Sequence, residues 1–450
     1  MNLKSIHNIY FIGIGGVGMS ALAKYFVAVG KTVGGYDKKP SIATDSLIDL
    51  GVSIQFEASP IKMDKLFTDP LKTLVVFTPA VSQTNPLLSY FKSNSFQVLK
   101  RSEVLGIVTK NTRCLAVAGT HGKTTTTSIL AHLLYQNNEQ MTAFIGGVSE
   151  NYQSNFIQRG TEISVVEADE FDRSFLTLSP DFACITSMDA DHLDVYGSAE
   201  DMAATFKEFV QKIKPSGKLF IKKGLPFDGI TYGVNEPADY SALKVRILKG
   251  AYCFDVQTPS ELIENVHFSL PGVHNLSNAL AAMAMALEFG CSASGLVKAL
   301  ESYKGVQRRF TYQIKTEDFV FIDDYAHHPT EINAVHQAVR EMYPAKKVAV
   351  VFQPHLFSRT RDFIDEFAAS LSQFDATFLL DIYPARELPI VGVDSEWLLG
   401  KIKSPIKKLI SKSEIVGEIK DLGYPVFITI GAGDIGVEVS ELKEKLSYAY

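Results

Sequence analysis

The sequence predicts an α/β protein of three domains in series: Rossmann-like at both ends, with a phosphate-loop, mixed α/β domain between them. Three observations carry that expectation. Short β-rich runs alternate with helical runs along the chain, which is the pattern of parallel sheets crossed by helices. Glycine-rich turns follow the opening strands of the first and second segments, where such folds hold phosphates. The 450 residues are also too many for one hydrophobic core, since domains usually run to about 100–200 residues.

The first domain is expected over residues 1–102. A strand at residues 9–12 leads into a glycine turn and a helix at 17–29, followed by strands at 31–36 and 74–78. The turn, Gly13-Ile14-Gly15-Gly16-Val17-Gly18, has the G-x-G-x-x-G spacing, and Asp37 follows at the remove usual for a ribose contact. That geometry accepts any pyrophosphate at a helix N-terminus, whether of a dinucleotide or of a UDP-sugar.

The second domain, 103–308, opens with a new strand-loop-helix unit: a β-rich run at 114–118, a loop at 119–125 and a helix at 126–136. The loop residues Gly119, Thr120, His121, Gly122, Lys123, Thr124 and Thr125 suit ATP. Backbone N–H groups at the helix start face the phosphates, Lys123 reaches the β- and γ-phosphates, and Thr124 offers its hydroxyl to Mg²⁺. Val117 stands where the common loop has its first glycine. Two acidic clusters follow strands at 163–167 and 182–187. Glu167, at a strand's carboxyl end, is the candidate Mg²⁺ carboxylate, with Asp169, Glu170 and Asp172 beyond it. In the second cluster, Asp189, Asp191 and Asp194 surround His192, which suits a metal or a proton. A long Ala-rich helix is expected at 275–289.

The third domain, 309–450, again alternates. Strands are expected at 319–323, 347–352, 376–381 and 426–430, and helices at 330–342 and 359–372.

Composition narrows the function. Apolar residues make up 46% and charged residues 21%, with a formal charge of −6. This is a globular profile with no basic excess for nucleic acid or an anionic membrane surface. Cys114, Cys184, Cys253 and Cys291 form no C-x-x-C pair, so neither a disulfide scaffold nor a cysteine zinc site is expected. No apolar stretch reaches the ~20 residues of a membrane span, and the N-terminus does not read as a signal peptide. A cytoplasmic protein is expected.

Taken in order, the motifs resemble those of the Mur ligases. They are F-I-G-I-G-G-V-G-M-S (11–20), G-T-H-G-K-T-T-T-T (119–127), E-A-D-E-F-D-R-S-F-L (167–176), D-A-D-H-L-D-V-Y (189–196), G-V-H-N-L-S-N-A-L-A-A (272–282), Q-R-R-F (307–310), D-D-Y-A-H-H-P-T-E (323–331), F-Q-P-H-L-F-S-R-T-R-D (352–362) and G-A-G-D-I-G (431–436). The resemblance covers nearly the whole chain.

It implies ATP-dependent ligation of L-alanine to the carboxylate of UDP-N-acetylmuramate in peptidoglycan synthesis, with Mg²⁺ or Mn²⁺. Gly15, Gly16, Val17, Gly18, Met19 and Ser20, with Asp37, would serve the UDP-sugar. Lys123, Thr124, Glu167 and His192 would serve ATP and metal, with Thr124, Glu167 and His192 as metal ligands. His274, Asn275 and Asn278 would lie near adenine, and Arg309 and Asp324 would come to the nucleotide from the third domain. Tyr325, His327, His355 and Arg359 would line the amino-acid end. The chain departs from the family at Leu356, where a basic residue is common, and Lys207 is a poor match to the lysine that is carbamylated in several members.

Three other readings compete. A recycling ligase would attach a tripeptide to the same UDP-sugar. A nucleotide switch would hydrolyse ATP without ligation. A nicotinamide oxidoreductase would use residues 13–18 but leave residues 119–127 unexplained.

Overall fold

The computed structural model describes residues 3–189, 198–248, 250–385 and 387–447. Three sheets organise the described residues. The first is all parallel, in the order Ser53–Gln55, Thr32–Tyr36, Asn8–Ile12, Thr73–Phe77, Gln97–Lys100. Its apolar strands are covered on both faces, as parallel crossovers require. On one face Phe11, Phe26 and Val76 join a cluster that also takes in Phe144 and Val166; on the other, Tyr10, Phe67 and Phe91 pack together.

The second sheet has ten strands. Six of its strands run in the order Lys218–Lys222, Phe182–Ile185, Arg113–Ala118, Ile163–Glu167, Met141–Ser149, Ser154–Gln158. The first five of these pair in parallel, and the last closes as an antiparallel hairpin. Ile230–Val234, Tyr240–Leu248, Ala251–Gln257 and Leu262–Phe268 extend the other edge, an extension absent from the sequence reading.

The third sheet runs Thr311–Lys315, Val320–Asp324, Val426–Ile430, Val348–Phe352, Ala376–Leu379, Ile406–Leu409, antiparallel only at its first pair. Val348, Val350 and Phe352 enter one core while Ala349 and Val351 enter the other, so this sheet too is buried on both sides.

Two of the expected helices differ in extent or continuity. The phosphate-loop helix spans Lys123–Gln136, three residues earlier than expected, because Gly122 takes a left-handed φ of 83° and turns the chain at once into the helix. The single helix expected at 359–372 is two, Phe357–Asp362 and Ile364–Leu371, broken where Phe363 leaves helical geometry at φ −118°, ψ 27°. The first of these starts after Leu356, which itself has a positive φ of 71°.

The chain divides into two compact units. One comprises Met1–Val245, Phe254–His267 and Ser277–Lys304; the other comprises Arg246–Cys253, Phe268–Leu276 and Gly305–Tyr450. All four cysteines are buried and free. Among the described residues, no helix is long and apolar enough to cross a membrane.

Candidate active site

The phosphate loop sits where the middle of the second sheet ends. Strand Arg113–Ala118 has Ile163–Glu167 on one side, with Val117 opposite Glu167, and Phe182–Ile185 on the other, with Ala118 opposite Ile185. Parallel register therefore delivers three chain ends to one edge, the usual ligand position in such sheets.

The right-hand neighbour shapes the loop. Ser187 Oγ accepts the His121 N–H at 2.8 Å and lies 2.9 Å from Thr120 Oγ1, while the Thr186 hydroxyl donates to the carbonyls of Ala118 and His121. Asp189 N donates to Thr120 Oγ1 at 3.0 Å, and His121 Nε2 lies 3.5 Å from Asp189 Oδ2. Glycine is required twice. Gly119 has φ 130°, and a Cβ on Gly122 would stand 2.5 Å from Asn278 Oδ1. Asn278, 8% exposed, thus packs against the loop from helix Val273–Phe289. His274 and Asn275 lie in that helix's first turn, and Asn275 Nδ2 donates to Pro271 O at 2.7 Å.

The left-hand neighbour supplies charge. Thr124 donates its hydroxyl to Glu167 Oε1 at 3.0 Å, and Gly146 N donates to Glu167 Oε2 at 2.9 Å. Lys123 Nζ donates to Gly119 O at 2.7 Å and to Glu170 at 2.8 Å. Burial alone would lower the Lys123 pKa, but the carboxylates of Glu170, Asp169 and Glu167 outweigh it and hold the group above its ordinary value. The lysine is therefore a firm cation. Burial raises Glu170 against the pull of Lys123. The Thr124 hydroxyl and the Glu167 carboxylate are hard oxygen donors converging within 3.0 Å, the donor set a Mg²⁺ or Mn²⁺ ion takes beside phosphates. They fit that ion. His192 lies outside the described residues, as do Asp191 and Asp194.

At the N-terminal loop, Gly15 N donates to Asp37 Oδ2 at 2.7 Å, which ties the end of strand Thr32–Tyr36 to the turn. Gly13 has φ 87°, and Gly16 and Val17 are exposed at the start of helix Val17–Ala28. Met19 and Ser20 face inward at 2% and 1% exposure, and Ser20 Oγ accepts from Asn155 Nδ2 at 2.9 Å. The Arg101 guanidinium lies against Gly18, about where a Cβ would stand 3.0 Å from Nη1.

The second unit gathers a further cluster. Both oxygens of Asp324 accept backbone N–H groups, from Phe310 at 2.6 Å and Ala326 at 2.7 Å. Burial raises its pKa to about 6, against the pull of Arg309 and those two N–H groups. Arg309 lies 3.8 Å from Glu331, and its guanidinium stands over the Tyr325 ring at 5.3 Å. The Tyr325 and His327 rings are 5.4 Å apart, and His327 and His355 are 6.1 Å apart. His327 Nδ1 is 3.0 Å from Tyr325 O. Burial lowers His327 to about 4; Glu331 opposes this, and the charge of Arg359 adds to it. The imidazole is neutral near pH 7 and a weaker base than an ordinary histidine. Tyr325, His327, His355 and Arg359 thus share one neighbourhood. Asp362 is the partner of Arg361 at 2.7 Å.

Glu170, Ser187, Thr186, Asn155 and Arg101 are the side chains the sequence reading did not single out. Glu170 stood inside a quoted motif, but nothing in the spacing distinguished it from Asp169 or Asp172.

Three α/β sheets, with a strand–glycine loop–helix unit that juxtaposes a lysine and a threonine with carboxylates, define an ATP-dependent enzyme of the phosphate-loop class. Family models agree along the chain: "Mur ligase family, catalytic domain" matches residues 8–113, "Mur ligase middle domain" matches 117–286, and "Mur ligase, glutamate ligase domain" matches 308–423. The chain belongs to the Mur ligase family. It is 57% identical over 452 residues to the UDP-N-acetylmuramate–L-alanine ligase of Flavobacterium johnsoniae, and 58% identical over 447 residues to that of Flavobacterium psychrophilum, each comparison covering 99% of both chains. Among solved structures it is similar to the UDP-N-acetylmuramate-alanine ligase of Thermotoga maritima, with a TM-score of 0.83, 26% identity, and coverage of 98% of this chain and 100% of that one.

Proposed function

We propose that the protein joins L-alanine to the carboxylate of UDP-N-acetylmuramate with ATP, releasing UDP-N-acetylmuramoyl-L-alanine, ADP and phosphate, in the cytoplasmic stage of peptidoglycan synthesis. The observation that carries this reading is the pairing of Lys123 with Glu170 and of Thr124 with Glu167 at the mouth of the phosphate loop, in a chain whose close relatives bear that activity's name. We divide the work among residues 1–102 for the UDP-sugar, 103–308 for ATP and 309–450 for the amino acid.

A carboxylate resists amines because it is negative and its oxygen leaves poorly. Transfer of the γ-phosphoryl of ATP to it gives an acyl phosphate, which the amine attacks through a tetrahedral intermediate, with phosphate leaving. The protein's part is to position the reactants and stabilise charge. Lys123 stabilises the charge of the transferred group, and the backbone N–H groups of residues 119–125 cradle the phosphates. Thr124 and Glu167, with His192, would hold Mg²⁺ or Mn²⁺, which when bound neutralises phosphate charge. We assign His274, Asn275 and Asn278 to the adenine, and Arg309 and Asp324 to the nucleotide.

Gly15, Gly16, Val17 and Gly18 receive the pyrophosphate at the start of their helix, Met19 and Ser20 set that helix from beneath, and Asp37 fixes the turn. Arg359 takes the α-carboxylate of alanine in a planar fork, beside Tyr325, His327 and His355. His192 or a histidine of the His327-His328 pair would relieve the attacking amine of its proton.

The test is ADP release from the full-length protein with UDP-N-acetylmuramate and, in turn, L-alanine, L-serine, glycine and the tripeptide. L-Alanine is expected to be preferred. Preference for the tripeptide would identify the recycling ligase, and equal ADP release without any amine would identify a hydrolytic nucleotide switch.

A further inference from the structure

Two successive residues of the phosphate-loop helix each meet a separate carboxylate, and both carboxylates come from one short segment. Thr124 has Glu167, at the last position of its strand, and Lys123 has Glu170, three residues on. Glu170 is fully buried, and the Lys123 side chain is only 13% exposed. An ammonium carries three N–H donors. They meet Gly119 O at 2.7 Å and Glu170 at 2.8 Å, with Thr120 O farther off at 3.5 Å.

Neither of the two close acceptors is free to follow a moving lysine. Gly119 belongs to the loop. The turn that bears Glu170 is pinned by its own backbone: Ala168 N donates to Val117 O at 2.8 Å, Phe171 N to Asp169 Oδ1 at 3.1 Å, Arg173 N to Glu170 O at 2.9 Å and Phe175 N to Asp169 O at 3.0 Å. Asp172 and Arg173 hold left-handed φ values of 52° and 53° within it. Lysine is otherwise a point charge on a flexible four-carbon stem, so its placement must come from what it touches.

We propose that Glu170 is a positioning residue for phosphoryl transfer. With the Gly119 carbonyl it fixes Lys123 Nζ by two short contacts, leaving the donor held only by the long 3.5 Å contact to Thr120 O for the transferred group, while Glu167 serves Thr124. The inference rests on the ligase reading above. Glu170 touches no substrate in this scheme and acts through Lys123. Its loss therefore reduces turnover through misplacement of the lysine, with little change in nucleotide affinity.

The experiment uses the full chain with Glu170→Ala, Glu170→Gln, Lys123→Gln and the double variant Lys123→Gln/Glu170→Gln. It measures kcat and KM for ATP, calorimetric affinity for a non-hydrolysable ATP analogue, and thermal melting. Glu170→Ala is expected to lower kcat about 100-fold, the scale of a misplaced catalytic group. Glu170→Gln, which keeps an acceptor in place, should recover about tenfold of that loss. Analogue affinity should stay within about threefold of the wild type in both. In the Lys123→Gln background, Glu170→Gln should change turnover by no more than about twofold, since residues acting as one unit are not additive.

Wild-type kcat in Glu170→Gln and Glu170→Ala would overturn the proposal. So would an equal loss in both Lys123 backgrounds, or a fall in analogue affinity that accounts for the whole loss of kcat/KM. If Glu170→Ala does not fold, Glu170→Gln and the double variant decide on the same terms. Wild-type turnover in Lys123→Gln would instead remove the loop from catalysis, a separate failure of the ligase reading.

Discussion

Glu167 is clasped from both sides, by the Thr124 hydroxyl at 3.0 Å and by the Gly146 backbone N–H at 2.9 Å. Glu167→Gln keeps this shape but removes the charge that a hard cation favours. The Mg²⁺ concentration for half-maximal rate is expected to rise about tenfold or more, on the scale of a lost ligand charge. Gly146→Ala should act in the same direction, because its Cβ would overlap the Glu167 carboxylate. Superimposable Mg²⁺ titrations of wild type and Glu167→Gln would remove Glu167 from the metal site.

Lys123→Ala is expected to lower turnover about 1,000-fold, as does loss of a donor that stabilises transition-state charge. It also leaves Glu170 buried without its cation. Breaking a buried pair from one side costs about 3–5 kcal/mol, so melting should drop as well, and Lys123→Ala/Glu170→Gln should regain part of the drop. Turnover near wild type, with folded protein by circular dichroism, contradicts the assignment.

The N-terminal loop should prefer UDP-N-acetylmuramate to NADH. Asn155 and Lys24 join residues 1–102 to the central hairpin, with Asn155 Nδ2 donating to Val17 O at 2.7 Å and Lys24 Nζ to Asn155 Oδ1 at 3.1 Å. The titration therefore belongs on the whole chain. Tighter NADH binding would reverse the reading.

Arg359→Lys should raise KM for L-alanine about tenfold or more through loss of the bidentate fork, with KM for ATP little changed. An unchanged alanine KM in active protein would exclude Arg359 from the carboxylate site and reopen the choice of amine.

His132, on the phosphate-loop helix, is 1% exposed and contacts Tyr152, Ala299 O and Ser302. Burial lowers it to about 4, against the hydrogen bond to Ala299. Between about 6.5 and 4 the unfolded state binds more protons, so stability is full above this window and falls as pH drops through it, by about 3 kcal/mol. Asp324, raised to about 6, works in the opposite sense over the lower part of that range. The measurement is therefore the difference between wild type and His132→Gln in urea unfolding at pH 7.5 and pH 5. The variant should be less stable at pH 7.5 and lose less on acidification. Parallel losses would contradict this assignment.

The strand–loop–helix unit was legible because an apolar run gives way abruptly to glycine, a change only a turn explains. The start of its helix was misread because Thr124, Thr125, Thr126 and Thr127 are β-branched and weak helix formers; the left-handed turn at Gly122 decides the matter and is invisible in composition. The break at Phe363 was hidden because Phe357 and Ile364, seven residues apart, continue a helical apolar spacing across it. Strand Leu262–Phe268 escaped because its buried positions, Ile263, Val266 and Phe268, do not alternate evenly. The role of Glu170 depends on a turn with two left-handed residues, and no linear spacing encodes which of three neighbouring acids such a turn sends inward.

The arrangement around Lys123 has an electrostatic consequence for what the loop admits. Lys123 is held above its ordinary pKa by Glu170, Asp169 and Glu167, so part of its positive charge is already balanced by the protein. The rest of what phosphates require must come from the N-terminus of the helix and from a divalent cation. A nucleotide that carries such a cation with it would bring the charge that the lysine alone does not supply.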